Sequence, residues 1–200
     1  MKIAYSPKID RRGILTISVD GEPWGEIHTM IFGKRPSFPT CNSLEEFEQA
    51  FRAVEYRAAL NYALRRLSVR SLSSNEMRKS LVERLVSPDT ISKVIQECMQ
   101  NGYLNDEVWL DAFVRGLLSK KLGPRAMMYK LRLKGVSQSD AERILESSDN
   151  PEACQERIAK LVATRYRTRD LTDYHEREKV IAALMRKGFN LDDVQAVLKK

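Results

Sequence analysis

The sequence predicts a mainly α fold: three tandem three-helix repeats forming an elongated array, preceded by an N-terminal β-hairpin. Three observations carry this. The first forty residues alternate apolar and polar side chains around an Asp-Gly pair. Two Ser-x-x-Glu signatures then open helix-period segments. From there to the C-terminus the chain resembles itself at a spacing of about fifty residues, the mark of a repeat architecture.

The hairpin comes first. Ile14 to Val19 is rich in β-branched residues and alternates, and Asp20-Gly21 follows, two residues that tolerate the positive φ of a tight turn. Alternation resumes from Trp24 to Phe32 through Ile27, Thr29 and Ile31. Ile3 to Tyr5 offers a short additional strand. A lone hairpin is marginal in water, so this one should pack on the chain that comes after it. Gly33 to Asn42, with Pro36 and Pro39, reads as a connector.

Helix begins at Ser43. Ser43-Leu44-Glu45-Glu46 has the form of a capping box, in which the serine hydroxyl takes an amide of the first turn while the glutamate reaches back. The helix should run through Phe47, Phe51 and Val54 toward Leu67. A second box, Ser73-Ser74-Asn75-Glu76, opens the next helix.

The repeat is legible in its apolar positions. Leu81, Leu131 and Leu184 correspond, as do Met77, Met127 and Val180. Val86, Val136 and Phe189 form a third set, and Ile91, Ala141 and Val194 a fourth. The last helix of each repeat shows i, i+3, i+4 spacing, as in Ile91, Val94, Ile95 and Cys98. Lys134-Gly135-Val136 and Lys187-Gly188-Phe189 fit helix endings with a left-handed glycine. Arg84-Leu85-Val86 lacks that glycine, so the first turn is expected to differ. The resulting division is residues 1–42 for hairpin and connector, 43–102 for the first repeat with its lead-in helix, 103–149 for the second and 150–200 for the third.

Charge adds a direction. The 200 residues carry a net +7. Residues 1–52 balance seven basic against seven acidic groups, so the whole excess lies beyond residue 52. Arg115, Lys120, Lys121, Arg125, Lys130, Arg132 and Lys134 lie in one stretch that contains no acid. Such a run is often a solvated helix face, but its one-sidedness points to an anionic partner.

Other chemistry finds no support. There is no G-x-x-x-x-G-K-[ST], no G-x-G-x-x-G, no H-E-x-x-H and no nucleophile elbow. His28 and His175 lie in unrelated segments; His28 reads as a hairpin side chain and His175 as a solvated or helix-capping one. Cys41, Cys98 and Cys154 are widely spaced and form no CxxC, which fits reduced thiols in a cytoplasmic protein. No cofactor, metal or catalytic residue is expected, and no apolar stretch reaches the roughly 20 residues of a membrane span.

Specific residues resemble a known family. Gly102-Tyr103-Leu104-Asn105-Asp106, Phe113-Val114-Arg115, Gly123-Pro124-Arg125 and Leu131 to Val136, in this order and spacing, are similar to the RecX regulatory proteins. Leu67 to Arg70 and Ser73 to Met77 resemble the family's first repeat, and Arg186 to Phe189 with Val194, Val197 and Leu198 its last. The likeness covers roughly residues 55–200. Trp109 stands where the family often has Phe or Tyr, and residues 1–40 match no family motif. In the fold, Gly102 should end a helix, Tyr103 and Leu104 should pack back on the core, and Asn105 or Asp106 should cap the next helix.

The resemblance implies a non-enzymatic regulator of the RecA recombinase that binds the RecA–DNA filament and inhibits its recombinase, ATPase and coprotease activities. The basic run supplies the contact candidates, with Arg65, Arg66 and Arg70 as extensions in the first repeat. Two rivals stand beside this reading: a nucleic-acid-binding helical module acting without RecA, and a structural adaptor whose charge serves solubility; weak, sequence-independent DNA binding is compatible with the regulator and with the nucleic-acid-binding module. A monomer is expected, because three repeats can bury their own core.

Overall fold

The computed structural model describes residues 1–199 and is mainly helical, with a small N-terminal sheet. Strands β1 (Ile3–Pro7), β2 (Ile14–Val19) and β3 (Glu22–His28) form an antiparallel sheet in the order β1-β2-β3. The expected hairpin is its β2–β3 half. Asp20 and Gly21 turn it at φ +50° and +93°. The third strand runs Ile3–Pro7, two residues beyond the expected segment.

The second hairpin strand is shorter than its alternation suggested. The ladder ends where Ile14 pairs with His28, and the Thr29 amide takes the Gly13 carbonyl. Beyond that point β2 offers no partner. Thr29–Phe32 instead closes its own hydrogen bond as the single turn α1, with His28 Nδ1 accepting from the Met30 amide. Ile31 is thereby buried, so the apolar residues that mimicked a strand pack from a helical turn.

The sheet leans on α2 (Leu44–Val69) through Leu15, Ile17, Ile27, Cys41 and Phe47. Trp24 meets Phe47 and Phe51 edge-on at 4.9 and 4.8 Å, and Phe32 stacks on Phe51 at 5.5 Å. Such ring pairs contribute about 0.5–1.5 kcal/mol each beyond their burial. At the start of α2, Ser43 Oγ accepts from the Glu46 amide as expected. Glu46, however, takes the amide of Asn42 rather than that of Ser43, one residue further back.

Among the described residues, nine helices make the repeats. The first is α2, α3 (Ser74–Val82) and α4 (Pro88–Gln100). The second is α5 (Asp106–Ser119), α6 (Pro124–Leu133) and α7 (Gln138–Ser148). The third is α8 (Pro151–Arg165), α9 (Tyr174–Arg186) and α10 (Leu191–Leu198). The box at Ser73 is complete, with both reciprocal bonds to Glu76. Leu81, Leu131 and Leu184 are each fully buried, one at the centre of each repeat's own core.

The turn after the middle helix is the same in all three repeats, contrary to expectation. Leu85, Gly135 and Gly188 all sit at positive φ, +60°, +88° and +90°. The amides of Val86, Val136 and Phe189 reach back to the carbonyls of Leu81, Leu131 and Leu184. Packing of the next residue inward dictates this closure, and Leu85 adopts it at the steric cost of its own Cβ. At the α4–α5 link, Gly102 has φ +72° and Leu104 is buried. Tyr103 does not pack back: it is 56% exposed, because the reversal turns only Leu104 under the helix end. Asn105 Oδ1 accepts from the Val108 amide and caps α5. Asp106 instead accepts from the Ser74 amide and hydroxyl at the start of α3.

The chain divides into two compact units, Met1–Trp109 and Leu110–Lys200.

Candidate functional site

The basic run folds into the second unit around α6. Lys120 and Lys121 form the turn after α5, with Lys121 at φ +51°. Gly123 precedes α6 and Pro124 occupies its first position, where a missing N–H costs nothing. Met127 and Leu131 point into the core with no exposure, which fixes the opposite face of α6 outward. Arg125 and Arg132 are seven residues apart and share that face. With Met128, Tyr129 and Leu133 they line a shallow groove of about 520 Å³.

The remaining candidates do not converge there. Arg115 is exposed on α5, and Lys130 is exposed on another side of α6. Lys134 is half-buried, with its ammonium 5.7 Å from the centre of the Phe113 ring, so part of its charge is engaged within the protein. Lys121 is also half-buried.

In the first unit Arg65 and Arg66 line a cavity of about 380 Å³ beside α1, together with Thr29, Met30, Gly33 and Tyr62. Arg65 Nε donates to the Asn61 carbonyl, and Arg66 Nε is buried without a partner among the described residues. Arg70 is exposed at the end of α2.

Two features escaped the sequence. Tyr129, in the centre of the groove, is 64% exposed between Arg125 and Arg132; only its spacing of four and three residues from them could have marked it. The run is also free of acid only along the chain. Glu142 and Glu146 on α7 join Arg125, Met128 and Leu145 around a neighbouring apolar groove of about 390 Å³. Arg125 therefore has a basic and aromatic side and an acidic side.

A cavity of about 720 Å³ lies between the sheet, α2 and α4, with Trp24, Arg52, Glu55, Asp89 and Lys93 in its lining. Its charges are mixed. Glu55 is 3% exposed and is consumed by the start of α4: it accepts from the Ser87 amide, the Ser87 hydroxyl and the Thr90 hydroxyl.

The titratable side chains of the known chemistries are elsewhere. His28 caps α1, and burial first, then the Arg84 charge, holds its pKa below the usual value. His175 is exposed at the start of α9. The three cysteines are buried and unpaired. Burial, reinforced by Asp193, pushes the Cys154 thiol up to about 11. Among the described residues no group of three His, Cys, Asp or Glu could hold a metal, and no helix is long and apolar enough to cross a membrane.

Three family domains match in order along the chain: the RecX first three-helix domain at residues 59–98, the second at 105–145 and the third at 152–198. The regulatory protein RecX of Streptococcus equi subsp. equi is 24% identical over 203 residues, covering 100% of this chain and 73% of the relative. That of Shigella dysenteriae is 29% identical over 161 residues, covering 75% and 95%. That of Streptococcus pneumoniae is 29% identical, covering 76% of this chain and 59% of the relative. Among solved structures, a regulatory protein RecX superposes with a TM-score of 0.66 at 21% identity, covering 100% and 99% of the two chains. RecX from Lactobacillus salivarius does so with 0.63 at 24% identity, covering 74% and 96%. At these identities the superpositions speak to the fold.

Proposed function

The chain belongs to the RecX family, and from that premise we propose that it regulates RecA by binding the RecA–DNA filament. In this reading it lowers the recombinase, ATPase and coprotease activities of the filament, and so acts in homologous recombination, DNA repair and the SOS response. It works as a cytoplasmic monomer and is not an enzyme. The observation that carries the reading is the set of three RecX domains matched in order along the chain.

The physical chemistry of α6 supports it. A nucleoprotein filament presents phosphate and acidic protein surface together. Arg125, Lys130 and Arg132 stand exposed on a helix held rigid by Met127 and Leu131. Positive charge on a rigid element steers association and gives an affinity that weakens with salt. Arg115 on α5 and Lys120 in the turn after it are exposed and add further positive charge. Lys121 and Lys134, being half-buried, contribute less. Arg65, Arg66 and Arg70 supply a separate basic surface in the first unit.

The test is the RecA-dependent ATPase on single-stranded DNA with the protein added at stoichiometric amounts. Inhibition by the native protein is expected. Its loss is expected in a variant carrying Arg115→Glu, Arg125→Glu, Lys130→Glu and Arg132→Glu. Unchanged ATPase with native protein would overturn the reading; undiminished inhibition by the variant would remove the α6 surface from it.

A further inference from the structure

Tyr129 is the feature of the basic face that a purely electrostatic role leaves unused. The ring is 64% exposed on a helix whose inward residues, Met127 and Leu131, have no exposure. Leu133, one turn further along, is 60% exposed. Arg125 lies four residues before Tyr129 and Arg132 three after, so both flank the ring within one helical turn. All four line the same groove.

We propose that this face takes a single strand of nucleic acid, with one base stacked on the Tyr129 ring and the adjoining phosphates on Arg125 and Arg132. The inference rests on the reading that the α6 face meets the filament, and it names which component of the filament that face touches.

Three observations select a single strand. First, a ring standing out from a convex helix can lie against a base only if the base face is open. A duplex would have to be unstacked to provide one, at a cost of a few kcal/mol per step, whereas a single strand presents its faces already. Second, the groove-lining side chains include no Asn or Gln to read base edges, so recognition by the π-face, which every base possesses, fits better than sequence readout. Third, the charge is directional. Glu142 and Glu146 lie across Arg125 on the Met128 side and repel phosphate there. That leaves the Tyr129 and Leu133 side as the track, with Leu133 giving apolar contact to the sugar or the next base. An acidic protein segment would satisfy the two guanidinium groups but would gain little from the ring.

The experiment separates stacking from charge. Binding of the full chain is measured by fluorescence anisotropy at low salt, without RecA, to labelled oligo-dT and to an abasic oligonucleotide of the same length. The native protein should bind oligo-dT more tightly by on the order of tenfold, the size of one base–aromatic stack. Tyr129→Leu should bring oligo-dT down to the abasic affinity and leave abasic binding unchanged, while Tyr129→Phe should keep the preference. Arg125→Gln and Arg132→Gln should weaken both oligonucleotides alike and each flatten the salt dependence by about 0.7 in log–log slope. Equal native affinity for the two oligonucleotides, no binding to either, or an undiminished preference in Tyr129→Leu would overturn the proposal. The RecA-dependent ATPase is read separately. Inhibition without an oligo-dT preference removes stacking alone, and a preference without inhibition removes the regulator reading alone.

Discussion

Gly123 and Gly188 are packed backbone to backbone, joining the start of α6 to the end of α9. The Gly123 amide donates to the Lys187 carbonyl at 2.9 Å, and the Arg125 amide to the Gly188 carbonyl at 3.1 Å. The unpaired donors that open α6 are thus satisfied by carbonyls that α9 leaves free at its own end. A Cβ on Gly123 would stand 2.3 Å from the Gly188 carbonyl carbon and the Phe189 nitrogen. A Cβ on Gly188 would meet the Ala126 nitrogen at 2.4 Å, and Gly188 also has φ +90°. Since these neighbours are backbone, nothing can swing aside. Gly123→Ala should therefore cost about 1–3 kcal/mol by overpacking, and Gly188→Ala about 1 kcal/mol more for its left-handed backbone. The double variant should cost less than the sum, because either change already opens the same junction. Urea unfolding of the three variants measures this; additive losses would contradict a shared contact.

Leu85 gives a prediction of opposite sign. It holds the left-handed turn that glycine holds at positions 135 and 188. Leu85→Gly should raise stability by about 1 kcal/mol by relieving that conformation, and Gly135→Ala should lower it by a similar amount. Thermal unfolding of both variants tests the pair. Destabilisation by Leu85→Gly would mean that the half-buried side chain contributes more than its backbone strain removes.

Glu55 is expected to be among the costliest polar positions to alter. One buried carboxylate takes three hydrogen bonds at the start of α4. Glu55→Gln puts an NH2 group where one of the two accepting oxygens stood, so it cannot accept from all three donors, and whichever donor faces the NH2 loses its acceptor at about 1–3 kcal/mol. Glu55→Ala strands all three donors and should cost more. Denaturant midpoints of the two variants, with Glu45→Gln as an exposed control, give the comparison. Equal stability of Glu55→Gln and native protein would show that the cap is dispensable.

How far the sequence revealed this molecule depends on which forces are local. The repeats were legible because each buries its own core, so Leu81, Leu131 and Leu184 recur at the spacing of the units. The Ser73 box was legible because its partners lie three residues apart. The end of β3 was not, because it depends on where β2 runs out, and alternation from Trp24 to Phe32 continues regardless. Leu85 misled because burial of Val86 imposed a turn that the local residue disfavours. Glu55 left a trace: it sits at four-residue steps from Phe51 and Ala59, on the apolar face of α2, where an acid needs a partner. In the basic groove the arginines were legible as a run. The ring between them and the acids of α7 emerged only when α6 and α7 were placed side by side.

His28 makes the first unit sensitive to mild acid. Its Nδ1 accepts from the Met30 amide, a role open only to an unprotonated nitrogen. Burial and then the Arg84 charge hold its pKa below the ordinary 6.5. In the unfolded chain the imidazole takes its proton first as pH falls, so the unfolded state binds more protons between 6.5 and the folded pKa. The contribution of His28 is therefore fully present above about pH 6.5, is lost as pH falls toward the folded pKa, and stays lost below it. The melting temperature should decline from pH 7.5 to 5.5. His28→Asn, which keeps a side-chain oxygen at the cap but carries no titrating group, should decline less across that interval. The carboxylates held low, at Glu156, Asp170 and Glu176, act at more acid pH. Parallel pH profiles for the two proteins would show that the α1 cap does not report the protonation of His28.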